Sequence, residues 1–168
     1  MIKKSRDLLK LSKQIIYSVQ RSDMGKAKNL VTKIKKEHRS LKSIAEKNPE
    51  LLYSGSFKIA VQEYVEALGF FSIFAENRLP THKELNTSPE YYLLGICDLS
   101  GELVRKAISE AINGREERAL EIKRMVDDLY SELLLLDFTN SELRKKFDGI
   151  KYDLRRLEDM ALNIKSKK

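Results

Sequence analysis

Phe57 to Glu76 reads FKIAVQEYVEALGFFSIFAE. Its apolar residues fall on nearly every side of a 3.6-residue helical wheel, so the stretch predicts a helix buried on most faces. Such a helix needs other helices around it, and is expected at the centre of a bundle or at an assembly interface. Upstream, Ser54-Gly55-Ser56 breaks the chain, and Asn48-Pro49-Glu50 reads as a helix start, because Asn caps well and Pro is tolerated in a first turn. Ile2 to Arg21 repeats Leu8, Leu11, Ile15 and Val19 at helical spacing. Ser22 or Asp23 then caps a second helix to about Lys47, with Ala27, Leu30, Ile34, Leu41 and Ile44 inward.

Downstream, Asn77 to Thr87, containing Pro80, is the longest connection. Ser88-Pro89-Glu90 restarts a helix that runs through 89–113 and stops at Asn113-Gly114. A fifth helix is expected over 115–137, with Leu120, Met125, Leu129, Leu133 and Leu136 as its inner positions. Thr139-Asn140-Ser141-Glu142 has capping-box spacing and opens a last helix, 139–165, before a basic tail from Lys165 to Lys168. With 168 residues, 42% of them hydrophobic, and only 7 Gly and 3 Pro, the expectation is all-α: one domain, 1–168, an antiparallel bundle of about six main helices.

The single cysteine, Cys97, excludes an intramolecular disulfide, so a reducing cytoplasm is the expected setting. Charges stand in the first residues where a signal peptide would need an apolar stretch, and no membrane span is expected. The net charge of +7 is uneven. Residues 1–47 carry 14 Lys/Arg against 4 Asp/Glu, whereas the remainder carries 18 against 21. Basic helices on a slightly acidic body suit a polyanionic partner, since cations facing phosphates release counterions; solvated lysines on an ordinary helix surface would give the same composition.

Within the apolar helix the only charged residues between Lys58 and Glu76 are Glu63 and Glu66, three apart and therefore on one face. From Tyr91 to Val104 the only charges are Asp98 and Glu102, four apart and again on one face. Each of the two most apolar helices, 57–76 and 89–113, thus carries one pair of acids one turn apart. Unpartnered buried carboxylates cost several kcal/mol, and neighbouring like charges repel. If the pairs face each other, Glu63, Glu66, Asp98 and Glu102 would together hold a divalent cation, and an all-oxygen set suits Mg²⁺ or Mn²⁺. A hard ion with open water positions can hydrolyse a phosphodiester. The alternative is structural: the acids pair with Lys58, Arg105 or Lys106, or line a polar channel.

Other chemistries find less support. Neither His38 nor His82 follows a Glu at the Glu-x-x-His spacing of a ferritin-like site; His38, among Lys35, Lys36, Glu37 and Arg39, is expected on a solvated or RNA-facing surface. Cys97 reads as a small core residue. Most of Tyr64, Phe70, Phe71, Phe74, Tyr91 and Tyr92 read as core, with Tyr64 or Tyr91 candidates for stacking on a base.

Two stretches carry a resemblance. Tyr91 to Arg105, YYLLGICDLSGELVR, resembles the signature helix of the translin/TRAX family, and Leu143 to Leu154, LRKKFDGIKYDL, resembles that family's final helix. The resemblance implies a translin-like bundle that assembles into a closed oligomer, an octamer with its active sites inward. Within the family one branch binds nucleic acid, and the other, translin-associated factor X, carries acidic residues and cleaves RNA with Mg²⁺. All four acidic positions of the catalytic branch are filled here, by Glu63, Glu66, Asp98 and Glu102. The implied function is a Mg²⁺-dependent endoribonuclease acting on single-stranded RNA, with single-stranded DNA as a further partner, assembled with itself or with a translin-like chain; Arg21, Lys58, Arg105 and Lys106 are its expected RNA contacts. The compact chain is similar to an archaeal member, and its connection from Asn77 to Pro89 is shorter than in eukaryotic relatives of the catalytic type. The competing functions are a non-catalytic RNA or single-stranded DNA binding oligomer and an all-α nucleoside triphosphate pyrophosphohydrolase.

Overall fold

The computed structural model describes residues 2–139 and 141–166, and they are all-α, with no strand. The helices are α1 (Ile2–Gln20), α2 (Met24–Glu46), α3 (Gly55–Glu76), α4 (Pro89–Ile112), α5 (Glu116–Leu134) and α6 (Ser141–Lys165), with a 3₁₀ turn at Pro49–Tyr53. None of them is long and apolar enough to cross a membrane. The chain forms two compact units, Met1–Ile96 and Cys97–Lys168, whose boundary falls inside α4. The capping-box expectation at Thr139–Glu142 passes through Asn140, and the basic tail ends on Lys167 and Lys168; these residues lie outside the described ones.

In the first unit α1 packs on both α2 and α3. Its inner face alternates aliphatic and small residues, Leu8, Ile15, Ile16 and Val19 with Ser5, Ser12 and Ser18. Ser12 and Ser18 donate back to the carbonyls of Leu8 and Gln14, which satisfies hydroxyls that burial would otherwise leave costly. The α1–α2 corner is a Schellman turn: Ser22, at φ 61°, takes the left-handed position usually given to glycine, its N–H bonds Val19 O, and Asp23 N–H bonds Ser18 O. The Asp23 carboxylate then caps α2 by accepting from Lys26 N–H. Asn48 gives no side-chain cap, and the segment after it winds as 3₁₀ rather than α; Ser54 is the residue that caps α3.

α3 is buried over most of its surface, packed on α1 and α2, as its composition predicts. Its faces are covered within the chain, so they do not by themselves require a second subunit. Gly95 of α4 sets how closely that helix approaches. A Cβ built there would lie 2.6 Å from Gln62 O and 2.7 Å from Val65 Cβ. The connection after Asn77 is tied down: Arg78 pairs with Glu84, Glu84 accepts from Thr81 N–H, Tyr92 donates to Pro80 O, and Lys42 holds the carbonyl and side chain of Asn86.

His38 corrects its sequence reading. It is 1% exposed and stacks on Tyr64 with ring centroids 4.1 Å apart, so neither ring is placed to meet solvent or a base. Burial, and secondarily the charge of Lys42, hold the His38 imidazole down at about 4, while burial raises the Tyr64 hydroxyl above its ordinary range.

In the second unit α4 ends at Gly114, whose φ of 75° closes another Schellman turn with Gly114 N–H on Ala111 O and Arg115 N–H on Glu110 O. The inner stripe of α5 is Ala119, Ile122, Val126, Leu129 and Leu133. Leu120 and Met125 flank that stripe at half-burial, and Leu136, 46% exposed, lies beyond the helix end; three of the five expected inner positions are therefore displaced. α5 and α6 pack through Tyr130 stacked on Phe147, with Phe138 against the same ring.

Two outcomes follow for the first unit. Gly95→Ala is expected to lose about 1–3 kcal/mol in urea unfolding, because backbone rather than a flexible side chain meets the new methyl. His38 binds its proton less readily folded than unfolded, so its contribution is complete above pH 6.5 and falls away as pH drops toward about 4. His38→Phe keeps the stack, and its unfolding free energy should vary less with pH than wild type between pH 6.5 and 4; identical pH profiles would refute the assignment.

Candidate carboxylate site

Glu63 and Glu66 sit on a strip of α3 that is not fully buried. Positions 59, 63 and 66 follow one another at helical spacing; Ile59 is 53% exposed and both acids are half-buried. The neighbouring positions Ala60, Val61, Gln62, Tyr64 and Val65 are all buried. The helix therefore presents its two acids together along a half-open strip. Lys58, one residue from Ile59, is half-buried.

Asp98 and Glu102 occupy the equivalent strip of α4 in the second unit, with Gly101 between them and Arg105 one turn on. Here the carboxylates have cationic partners. Lys146 of α6 places its Nζ 2.6 Å from Asp98 Oδ1 and 2.5 Å from Oδ2. Arg105 donates from Nη1 to both Glu102 oxygens at 3.2–3.3 Å. A second contact joins the same two helices, two residues on from Asp98 in α4 and two turns on from Lys146 in α6: Ser100 Oγ donates to Asp153 Oδ2 at 2.6 Å. Cys97 is buried beside this polar line. Burial, then the charge of Asp98, push its thiol up to about 12, so it stays protonated at neutral pH and is no nucleophile.

The acids thus belong to different units, one pair to each. Within either unit, among the described residues, no three His, Cys, Asp or Glu side chains gather as a metal-holding group. The expected cationic contacts fare differently. Arg21 is exposed and bonds the Tyr17 hydroxyl at 2.9 Å. Arg105 is exposed and paired to Glu102. Lys106 is a correction: at 4% exposure, with its Nζ 3.0 Å from Glu110 Oε1, it is no phosphate contact. One residue on from Arg105 means a 100° turn of the helix, which carries Lys106 from the open strip into the interior. Glu110, equally buried, balances the Lys106 charge, and the more exposed Arg115 pairs with the same carboxylate.

Sequence reasoning did not assign roles to Lys146, Ser100 or Asp153. Lys146 and Asp153 lie in Leu143 to Leu154, the stretch quoted for its resemblance, and their spacing of seven places them two turns apart on one face of α6. That pattern was a readable signal once a partner helix with Asp98 and Ser100 was in view.

Comparison with known proteins fits this architecture. The chain is 30% identical over 152 residues to an uncharacterized protein of Methanocaldococcus jannaschii, covering 88% of this chain and 67% of that one. It is 36% identical over 75 residues to translin of Gallus gallus, covering 45% of this chain and 33% of the relative. With translin-associated protein X of Mus musculus the figures are 29% over 128 residues, 76% of this chain and 42% of the relative. The matched stretches thus span well under two thirds of both animal proteins. Among solved structures, apo-NeC3PO superposes with a TM-score of 0.91 at 32% identity, covering 96% of this chain and 86% of that one. AfC3PO in its complex with duplex RNA has the same fold, with a TM-score of 0.89 at 22% identity over 99% of this chain and 87% of that one. The Translin family profile matches residues 1–168, and the chain belongs to the Translin family.

Proposed function

We propose that the chain is a metal-dependent endoribonuclease subunit that binds RNA and hydrolyses it at a Mg²⁺ or Mn²⁺ ion held by Glu63, Glu66, Asp98 and Glu102. The observation that carries this reading is the placing of the acids. On α3 and on α4, the only charges in the apolar middle of the helix are two carboxylates one turn apart, on the half-open strip. Like charges at that spacing repel, and half-burial weakens their solvation, so cations are favoured beside them. The Lys146 ammonium bound by both oxygens of Asp98 marks such a place. The donors are all hard oxygens, which fit Mg²⁺ or Mn²⁺. When bound, such an ion supplies hydroxide near neutral pH and offsets charge developing on the phosphate. The chain's own cations do the positioning: Arg105, with its side chain 68% exposed, can exchange Glu102 for a backbone phosphate. A partner of this kind is supported by the fold neighbour AfC3PO, which is described with duplex RNA.

A second reading, a non-catalytic RNA or single-stranded DNA binding subunit, is favoured by one observation: Asp98 and Glu102 are already ion-paired, as purely structural acids would be. Two measurements separate the readings. Single-stranded RNA should be cleaved with Mg²⁺ and spared in EDTA, and Glu63→Ala, Glu66→Ala or Asp98→Ala should each cut the rate more than about a hundredfold, with Glu102→Ala milder. Mg²⁺ should also raise the melting temperature of the wild type and not that of Asp98→Asn, since only the protein that binds the ion gains stability from it. Undiminished cleavage by Asp98→Ala would end the site assignment, and binding without cleavage in any metal would establish the second reading.

The subunit is further proposed to assemble into a closed oligomer, expected as an octamer, alone or with a translin-like chain. Support comes from the end of α5, where Leu134, Leu135 and Leu136 are 54%, 79% and 46% exposed in succession, a concentration of apolar surface that a partner would cover. Light scattering at micromolar concentration should give a multiple of the 19.5 kDa chain mass. A mass equal to one chain, with activity kept, would refute the assembly.

A further inference from the structure

The outward face of α1 holds a second set of residues that the carboxylate chemistry does not use. Arg6, Lys10, Lys13 and Tyr17 follow at spacings of four, three and four, which aligns them along one side of the helix. Together with Lys26 of α2, and with Leu9 and Gln14, they line an open groove of about 580 Å³. All four cations are exposed, and among the described residues none of them is ion-paired. This sets them apart from Lys4 on the same helix, which is bonded to Glu37 at 2.7 Å, and from Lys106, Lys123 and Lys146, each held by a carboxylate. Tyr17 stands among them 60% exposed, with the Arg21 guanidinium 5.4 Å from its ring centroid and bonded to its hydroxyl.

We infer that this groove binds single-stranded nucleic acid, with phosphates along Arg6, Lys10, Lys13 and Lys26 and one base stacked on Tyr17. The inference rests on the nucleic-acid-binding part of the function proposed above, and it involves none of the four acids. Uncompensated cations in a row call for a polyanion. From Arg6 to Tyr17 the helix rises roughly 16 Å, enough for about five nucleotides at the axial spacing of a stacked strand. The aromatic ring decides the kind of polyanion. An anionic lipid headgroup or an acidic protein segment has no flat face to offer it, and a duplex hides its base faces in its own stack, whereas an unpaired base can lie on an exposed tyrosine. Arg21, in the turn just after α1, braces that ring, so little order has to be gained when a base arrives.

The test is fluorescence anisotropy of labelled oligouridylate with the full chain in EDTA, so that cleavage plays no part, over a range of salt. Replacing Lys10 and Lys13 together by Glu removes two phosphate contacts. It should weaken binding at least tenfold at low salt and make the slope of log K against log salt shallower by about 1.4. Tyr17→Ala should weaken binding about tenfold with the slope unchanged, and Tyr17→Phe, which keeps the ring and loses only the bond from Arg21, should bind as wild type. These positions are exposed, and circular dichroism verifies that each variant keeps its helices. Normal binding by the Lys10/Lys13 and Tyr17→Ala variants would overturn the groove while leaving nucleic-acid binding by the chain intact. Binding to phosphatidylserine vesicles with none to oligouridylate would overturn both.

Discussion

The structure depends on enclosing α3. A helix apolar on most of its circumference cannot leave those faces in water, and at roughly 25 cal/mol per Å² of apolar surface their burial outweighs any single polar contact elsewhere in the chain. The other elements of the first unit are shaped to this demand. Ser5, Ser12 and Ser18 keep the inner face of α1 narrow, and Gly95 removes a side chain where α4 comes against Gln62 and Val65. In the middle of α3 the packing leaves a half-open strip, and it carries Glu63 and Glu66. The acids are therefore exposed only as far as the packing of their neighbours permits.

That same constraint explains what could be read from sequence. The six helices, the isolation of both acid pairs and the stop at Gly114 were legible because each rests on local chemistry: periodicity, missing charge, and a residue that accepts positive φ. Ser22 closes α1 with the same hydrogen bonds as Gly114 closes α4, yet a serine there gives no such signal. His38 was misjudged from its charged neighbours Lys35, Lys36, Glu37 and Arg39. Its register with Ile34, Leu41 and Ala45, all buried, places it on the inner stripe of α2, so the helical period was the better guide. In α5 the run of Leu133 to Leu136 drew the expected stripe past the helix end, although the small residues Ala119 and Val126 set the true one.

The carboxylates of the second unit were legible as residues and not as an environment. No local pattern links Asp98 to its counter-ion, since Lys146 is distant in sequence; Arg105 stands three residues from Glu102 and is a readable partner, but whether Arg105 or Lys106 turns toward that acid depends on one residue of helical rotation. Both cations lie next to each other in the chain, yet one is exposed and paired to Glu102 while the other is buried and paired to Glu110. Half-buried ion pairs such as Asp98 with Lys146 contribute modestly to stability, because the gain in attraction is set against lost solvation. Their consequence is chemical: any cation that takes these oxygens has to displace an ammonium first.

Pairing also changes how the net charge of +7 should be understood. A lysine already bonded to a carboxylate releases few counterions when a phosphate arrives, since its charge is largely spent before the encounter. In the second unit Lys106, Lys123, Lys146 and Lys151 are each so bonded. In the first unit Arg6, Lys10, Lys13 and Lys26 are not, among the described residues. The basic excess of residues 1–47 is therefore larger in effect than the difference in composition suggests. Within the first unit, then, the groove on α1 gathers cations open to phosphate, whereas in the second unit the cations beside Asp98, Glu102 and Glu110 are committed first to those acids.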